Sequence, residues 1–262
     1  MNASRTDPVL LSREGGIAIL TLNRPEAMNA LDVPTAEAFL AACRTLSGDA
    51  TVRAVVVRGS GRAFGVGGDL AALQHDSAAV AEALIGTLHE AVLLLADLDA
   101  PVIASLHGVA AGGSLSLSMA CDLAIAAEGT RFNLAYANVA ATCDVSGSWH
   151  LPRLVGLRNA MQIALLAETF DAAEALRLGL VNWVVPAADL ERETLALAQR
   201  FAAGPTLAYG RIKRLMRQSF ETALPAQLET ERENFKVSTA TGDFKEALLA
   251  FFAKRPPVFR GI

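Results

Sequence analysis

Short apolar runs alternate with amphipathic stretches over the first half of the chain. Ile17–Leu22 and Val52–Arg58 are rich in residues that favour strands, and residues 34–46 between them have the apolar spacing of a helix. Val102–Leu106 and Leu123–Ala126 are further apolar runs, as expected of parallel strands covered on both faces. The pattern therefore predicts an α/β fold that begins with a β-α-β unit.

The hydrophobic period changes to that of helices in the last third of the chain. Val80–Leu98 already has this period and places His89 on a helix, whereas Leu180–Val185 is the last predicted strand. Pro and Gly residues then divide the sequence into predicted helices near 188–203, 206–220, 225–240 and 243–253. We expect a core over residues 1–200 and a helical C-terminal region over residues 201–262.

One segment is long enough to cross a bilayer without a charge. Ala100–Cys121 contains 22 uncharged residues, but Pro101, Gly108 and several serines interrupt it. These interruptions favour a buried strand, a glycine-rich turn and the start of a buried helix. We therefore expect no membrane span.

Composition and charge exclude several classes of protein. Hydrophobic residues make up 52% of the chain and charged residues 19%, which is typical of a compact fold and excludes disorder. The net charge of −4 gives no general attraction to nucleic acid or to an anionic membrane. Three widely spaced cysteines favour neither a disulfide framework nor a zinc site. The first fourteen residues carry four charges and no apolar signal core, so we expect a cytoplasmic protein.

Two glycine-rich segments follow predicted strands. Gly59–Asp69 has neither the spacing of a dinucleotide-binding motif nor the ending of a phosphate-binding loop. Gly108–Ser114 lies between a strand and a helix, where free N–H groups attract negative charge. Together, the two segments indicate a pair of N–H donors around one carbonyl oxygen that becomes anionic, which is an oxyanion hole. A glycine-rich surface turn is the alternative interpretation of the first segment.

Four successive motifs resemble those of the crotonase (enoyl-CoA hydratase/isomerase) superfamily. They are Asn23–Leu31 (NRPEAMNAL), Arg62–Leu70 (RAFGVGGDL), Pro101–Gly113 (PVIASLHGVAAGG) and Ala120–Ala124 (ACDLA). Their order and intervals also match, and the similarity extends from about Ile17 to Arg255. The resemblance implies a ββα-spiral core and C-terminal helices that assemble trimers or dimers of trimers. It also implies acyl-CoA thioester substrates.

The resemblance assigns roles to several positions. Gly68 and Gly113 match the two oxyanion-hole donors. CoA enters as part of the substrate, and no metal or separate cofactor is required. The residues assigned to CoA binding lie in the first two motifs and the C-terminal tail: Arg24, Ala27, Met28, Val66, Gly67 and Lys254.

Two positions depart from the pattern of the enoyl-CoA hydratases. These enzymes carry two glutamates, at positions that fall on Ser116 and Tyr136 in this chain. Hydration requires one group to deprotonate water and another to protonate carbon, and two hydroxyl groups do this poorly. The substitutions argue against ordinary hydratase activity.

Asp144 is the best candidate for the catalytic group. It lies in a nearly uncharged segment, where burial would raise the pKa of its carboxyl toward a value useful for proton transfer. Its position resembles that of the single acidic residue in the enoyl-CoA isomerases, including the ring-epoxide isomerases that act on phenylacetyl-CoA derivatives. The alternative is an N-cap of a helix that starts near Ser146.

A second constellation points to a different reaction. His89, Tyr136 and Asp144 fall where the aryl-CoA dehalogenases of this superfamily carry a histidine, a tryptophan and a nucleophilic aspartate. A helix-borne histidine is also a common packing or surface residue. We predict isomerisation of an unsaturated or ring-modified acyl-CoA through an enolate. The alternatives are a hydratase with unusual groups, a 4-halobenzoyl-CoA dehalogenase or hydrolase using Asp144 and His89, and a non-catalytic acyl-CoA binder.

Overall fold

A computed structural model describes residues 7–74 and 76–262 of the chain. Nine strands occur in this part: β1 (Val9–Glu14), β2 (Ile17–Leu22), β3 (Ala54–Gly59), β4 (Val102–Leu106), β5 (Val109–Ala111), β6 (Leu123–Ala127), β7 (Arg131–Asn133), β8 (Phe170–Asp171) and β9 (Trp183–Val185). Ten α-helices accompany them over the same residues: α1 (Val33–Ser47), α2 (Ser77–Asp97), α3 (Gly112–Ala120), α4 (Gly147–Val155), α5 (Leu157–Leu166), α6 (Ala172–Leu178), α7 (Leu190–Ala202), α8 (Thr206–Gln218), α9 (Leu224–Thr239) and α10 (Gly242–Phe252).

The strands form two sheets. The larger has the order β1-β2-β3-β4-β6-β9, in which β1 and β2 are antiparallel and every other neighbouring pair is parallel. The smaller contains β5, β7 and β8. This mixed α/β architecture with a mainly parallel sheet confirms the predicted fold class.

The larger sheet is buried on both faces, as the apolar runs predicted. Along β2, Ala18, Leu20 and Leu22 face the main core, into which α1 and α2 also pack. Ile17 and Ile19 face a second core that is covered by α7. Side chains alternate between the faces of a strand, so one unbroken apolar run supplies both cores.

The four C-terminal helices confirm the predicted periodicity to within about two residues at each end. They are α7 to α10, and the loops between them begin at Ala203, Ser219 and Ala240. The proposed division at residue 200 falls within α7 and stays a prediction.

The uncharged segment 100–121 divides into β4, β5 and α3, so it is no single span, as the glycines predicted. Another helix, α2, is long and apolar enough to cross a membrane by length and composition alone, with 28% of its most apolar window buried. Leu84, Leu88 and Leu95 on this helix lie in the main core.

Several elements differ from the sequence-based prediction. The hairpin strand β1 was not predicted, nor were the short strands β7 and β8 or the helices α5 and α6. The second glycine segment does not pass directly from β4 into a helix, because β5 lies between them. The strands β5, β7 and β8 have only two or three residues, which is too short to show a hydrophobic period, so the sequence pattern does not predict them.

Candidate active site

The two glycine-rich segments lie side by side, as predicted. The N–H of Gly65 donates to the carbonyl of Val109 at 3.1 Å, and the N–H of Ala111 donates to the carbonyl of Gly65 at 2.9 Å. These bonds form a parallel bridge between Gly65 and Ala110. The loop after β3 therefore runs along β5 and ends beside the start of α3.

The N–H groups of Gly68 and Gly113 face no acceptor within the described part of the chain. Gly113 is the second residue of α3, and no side chain caps this helix. Helix N-termini have unpaired N–H groups that attract negative charge. Both donors are therefore available to the carbonyl oxygen of a thioester, as an oxyanion hole requires.

Glycine is required at Gly67 for two reasons. Its φ angle is +91°, and a Cβ atom built on it would stand 3.0 Å from the Gly113 nitrogen. The Gly67 N–H is fixed by a 3.0 Å hydrogen bond to Oγ of the fully buried Ser114. Ser114 thus ties the loop that carries Gly68 to the helix that carries Gly113.

Asn29 supports the same loop from the other side. Its side-chain amide donates to the carbonyls of Ser60 and Ala63 at 2.9 and 2.8 Å, and its Oδ1 accepts from the N–H of Arg24 at 2.9 Å. Asn29 is 1% exposed. Neither Asn29 nor Ser114 was singled out from the sequence, although Asn29 lies within the first quoted motif and Ser114 ends the second glycine-rich segment.

The Asp144 carboxylate lies over Gly113, one of the two predicted oxyanion-hole donors. A Cβ atom built on Gly113 would stand 3.4 Å from Oδ1 of Asp144 and 3.7 Å from the Tyr136 hydroxyl. The Tyr136 hydroxyl is hydrogen-bonded to Oδ1 of Asp144 and lies 2.9 Å from Oγ of Ser116. The structure therefore brings together Gly113, Asp144, Tyr136 and Ser116.

The capping alternative for Asp144 is wrong. The N-cap of α4 is Ser146, and no side chain caps the helix. The Asp144 backbone carbonyl accepts a hydrogen bond from Gly147, while its carboxylate points to Tyr136. The carboxylate is left for chemistry at the glycine site.

The environment of Asp144 makes its carboxylate a stronger base than an exposed aspartate. Burial raises the pKa of the Asp144 carboxyl above its ordinary value, although the hydrogen bond from Tyr136 and the charge of His89 act in the opposite direction. Burial also raises the pKa of the Tyr136 hydroxyl, and the nearby Asp144 charge adds to this effect. Tyr136 thus remains a neutral hydrogen-bond donor.

His89 lies on α2, as the sequence predicted, and a positive charge on its ring would lower the pKa of the Asp144 carboxyl. The residue itself is exposed. Another histidine near the glycine segments, His107, has its Nε2 atom 3.0 Å from the carbonyl of Gly61 and supports the loop there.

The residues assigned to CoA binding lie in three places, and these assignments stay predictions. Ala27 and Met28 are half-buried at a short turn after β2, and Val66 and Gly67 belong to the glycine-rich loop after β3. Lys254 is exposed just beyond α10.

Arg24 is already engaged within the chain. Its guanidinium pairs with Asp32 at 3.0 Å and with Asp69 at 3.2 Å, and it donates to the carbonyl of Ala30 at 2.8 Å. These contacts fix the turn after β2 against the glycine-rich loop after β3. A role for Arg24 in CoA binding would have to coexist with them.

Among residues 7–74 and 76–262, no group of three or more His, Cys, Asp or Glu side chains could hold a metal ion. The thiols of Cys43 and Cys121 are buried, and burial raises the pKa of Cys43 to about 12. Burial likewise raises the pKa of Cys143, next to Asp144. None of these thiols has the lowered pKa of a nucleophile.

Comparison with known proteins places this geometry in a family. The family model described as enoyl-CoA hydratase/isomerase matches residues 12–261. A Rhodobacter capsulatus protein named "probable enoyl-CoA hydratase" is 38% identical over 250 residues, which are 94% of this chain and 95% of that protein. The 1,2-epoxyphenylacetyl-CoA isomerase of Escherichia coli is 34% identical over 258 residues, covering 97% and 98% of the two chains.

Solved structures give the same result. An enoyl-CoA hydratase from Mycobacterium smegmatis superimposes with a TM-score of 0.91 at 34% identity, covering 96% of this chain and 98% of the other. Since similarity of sequence and of structure both extend over nearly the whole length, the fold and the order of its motifs agree throughout. The chain therefore belongs to the enoyl-CoA hydratase/isomerase family, within the crotonase superfamily.

Proposed function

We propose that this enzyme isomerises an unsaturated or ring-modified acyl-CoA through an oxyanion-stabilised enolate. One observation carries the proposal: Asp144 is a half-buried carboxylate over Gly113, while hydroxyl groups occupy both positions at which hydratases carry glutamate. Ser116 and Tyr136 are bonded to each other and do not form a pair that could hold and deprotonate water. The similarity to an epoxyphenylacetyl-CoA isomerase adds support.

The reaction uses one carboxylate twice. The thioester oxygen accepts hydrogen bonds from the N–H groups of Gly68 and Gly113. The Asp144 carboxylate removes a proton from carbon, the electron pair moves into the thioester, and the resulting enolate oxygen is stabilised by the two donors. Asp144 then returns the proton to a different carbon, which moves the double bond and regenerates the carboxylate.

The remaining expectations extend this proposal. We propose a cytoplasmic enzyme that takes an acyl-CoA thioester as its substrate and requires no metal or separate cofactor. We also propose assembly as a trimer or dimer of trimers. Exposed apolar side chains on α8 to α10 support this assembly, among them Met216, Phe235, Phe251 and Phe252.

The proposal is tested by incubating the enzyme with a 3-enoyl-CoA in deuterated water. We expect conversion to the conjugated 2-enoyl-CoA, with some solvent deuterium in the product. Asp144→Asn keeps the size of the side chain but cannot accept the proton, so turnover should fall by about 10³-fold. Asp189→Asn, at an exposed ion pair with Arg192, is the matched control and should retain full turnover.

Two further measurements distinguish the rival reactions. The charge of His89 near Asp144 favours a nucleophilic aspartate as the second candidate. Release of halide from 4-halobenzoyl-CoA, lost equally in His89→Gln and Asp144→Asn, would establish it and overturn the isomerase. Hydration of a 2-enoyl-CoA at equal rates by the wild type and Asp144→Asn would instead make the enzyme a hydratase. Binding of acyl-CoA without any turnover would make the protein a binder.

A further inference from the structure

Asp144 is the last member of a chain of three hydrogen-bonded side chains. Oγ of Ser116 lies 2.9 Å from the Tyr136 hydroxyl, which in turn bonds to Oδ1 of Asp144. The three residues come from different elements: α3, the 3-10 turn Tyr136–Val139, and the loop before α4. Proton transfer by Asp144, as proposed above, uses neither hydroxyl, so the chain requires a separate explanation.

The bonds of this chain have one direction. A carboxylate can only accept hydrogen bonds, so Tyr136 donates its single proton to Oδ1 of Asp144. The bond between Ser116 and Tyr136 must then be donated by Ser116. Each bond polarises the next, which strengthens the donation that reaches Asp144.

Packing holds the first member in place. Ser116 is fully buried, and a Cβ atom on Gly147 would collide with its Oγ. The start of α4 therefore closes over Ser116 and leaves no room there for a larger side chain. Ser116 has a fixed place from which to orient the Tyr136 hydroxyl.

The other oxygen of the carboxylate has no partner from another residue. Within the described residues, Tyr136 bonds to Oδ1 and no other residue donates to Oδ2, while the N–H of Asp144 itself adds a backbone contact to the carboxyl. A carboxylate held at one oxygen has a defined orientation and still presents a lone pair on the other. This asymmetry is suited to repeated proton transfer at one atom.

We propose that Tyr136, held by Ser116, is a positioning residue that fixes Oδ1 of Asp144 and leaves Oδ2 to exchange the proton with substrate. The inference rests on the proposed function of Asp144. Three interactions oppose the effect of burial on the pKa of the carboxyl: the Tyr136 hydrogen bond, the electrostatic effect of His89 on α2, and a hydrogen bond from the backbone of Asp144 itself. The neighbouring Cys143 is a neutral thiol, since its pKa is raised. Loss of the Tyr136 hydroxyl should therefore raise the pKa of Asp144 further.

The test measures the pKa of Asp144 without any turnover. Carboxyl carbons are labelled with ¹³C in aspartate, the Asp144 signal is assigned with Asp144→Asn, and the free enzyme is titrated by NMR. Tyr136→Phe keeps the ring and should raise the Asp144 pKa by about one unit, a tenfold change in proton affinity. Ser116→Ala should move it in the same direction by less.

The same variants are then examined with an acyl-CoA substrate. The acidic limb of the kcat profile should move upward with the NMR value in Tyr136→Phe. On that acidic limb, where kcat is proportional to the ionised fraction of Asp144, kcat at a given pH should fall about tenfold, with KM changed by less than about twofold, because binding is untouched. Tyr209→Phe, which removes the hydroxyl of the sequence's other tyrosine on α8, and Ser118→Ala, at another buried serine of α3, should change neither quantity.

An unchanged Asp144 pKa in folded Tyr136→Phe and Ser116→Ala would overturn the inference, as would an equal shift in Tyr209→Phe. If Tyr136→Phe does not fold, Ser116→Ala alone decides by the sign of its shift. Failure of the proposed reaction shows differently. In that case no acyl-CoA is isomerised by the wild type, while the NMR titration still reports whether Tyr136 controls Asp144.

Discussion

A single ionisable residue, Asp144, combines burial with a position over an unpaired N–H donor. Burial raises the pKa of its carboxyl, so the folded protein binds this proton more tightly than the unfolded chain does. The ionised carboxylate that the proposed reaction requires therefore lowers the stability of the fold. Activity and stability make opposite demands on this residue.

This conflict predicts a pH-dependent effect of Asp144→Asn on stability. As pH rises from about 3.9, the unfolded carboxyl ionises first and the free energy of unfolding of the wild type falls until pH passes the folded pKa. The amide cannot ionise, so Asp144→Asn should have the higher melting temperature at pH 7 and lose this advantage below about pH 4.

Thermal unfolding at both pH values, with Asp189→Asn as the exposed control, measures the effect. A variant that is less stable than the wild type at pH 7 would contradict the prediction. It would show that the hydrogen bond from Tyr136 stabilises the ionised carboxylate by more than burial destabilises it.

At the scale of elements, side chains of α8 connect the C-terminal end of α2 to the larger sheet. The Lys213 ammonium donates to the carbonyls of Leu98 and Ala100 at 3.0 and 2.9 Å and pairs with Asp122 at 2.7 Å. Arg217 donates to the carbonyl of Ala96 at 2.7 Å and pairs with the same Asp122. These cations satisfy carbonyl groups at the C-terminal end of α2, where positive charge is favourable. The helix that carries His89 is therefore held at its far end.

Removing one cation of this buried cluster should be costly. The side chains of Lys213 and Asp122 are only 8% and 12% exposed. Lys213→Met leaves two carbonyls unpaired and Asp122 with Arg217 as its one cationic partner, so we expect a loss of about 3 kcal/mol in the free energy of unfolding. Arg192→Met, at an exposed ion pair, should cost less than about 0.5 kcal/mol. Urea unfolding at one fixed protein concentration compares the two, and equal losses would refute a structural role for the cluster.

At the scale of the whole molecule, the C-terminal helices expose more apolar surface than a monomer needs. Phe251 and Phe252 on α10 are 75% and 78% exposed, and Met216 and Phe235 on α8 and α9 are each more than 60% exposed. Large apolar patches of this kind mark interaction surfaces. Oligomers of identical chains are the simplest way to cover them.

Sedimentation at micromolar concentration tests the proposed assembly. We expect the mass of three or six chains of 27.5 kDa. The double change Phe251→Glu and Phe252→Glu places charges in the expected interface and should shift the mass toward the monomer. Lys236→Glu, at an exposed polar position of α9, is the control for added acidic charge. A wild-type monomer would contradict the assembly.

Long periodic segments were predicted well from the sequence, and contacts between distant residues were not. The helices α7 to α10 have enough turns for their apolar period to be read, whereas β5 and β8 have three and two residues. The two glycine segments could be interpreted as one site because each follows a strand.

The side chains that organise the site were harder to predict. The sequence marked Ser116 and Tyr136 as departures from the hydratase pattern, but their mutual bond depends on how α3 packs against a turn twenty residues later. The hydrogen bond from the Gly67 N–H to Ser114 likewise joins residues 47 positions apart. Local propensity carries no information about such pairs.

The bond from Gly67 to Ser114 also has a consequence for how new reactions arise on this fold. The proposed donors to the thioester oxygen are main-chain N–H groups, fixed by backbone pairing and one buried hydroxyl, and do not depend on the side chains above them. The side chains of residues 136 and 144 can therefore be exchanged without dismantling this backbone frame, whereas a larger side chain at Ser116 would also require the start of α4 to move. A few substitutions at these positions could change the reaction that follows enolate formation. Enzymes with different reactions could then evolve through intermediates that keep part of their activity.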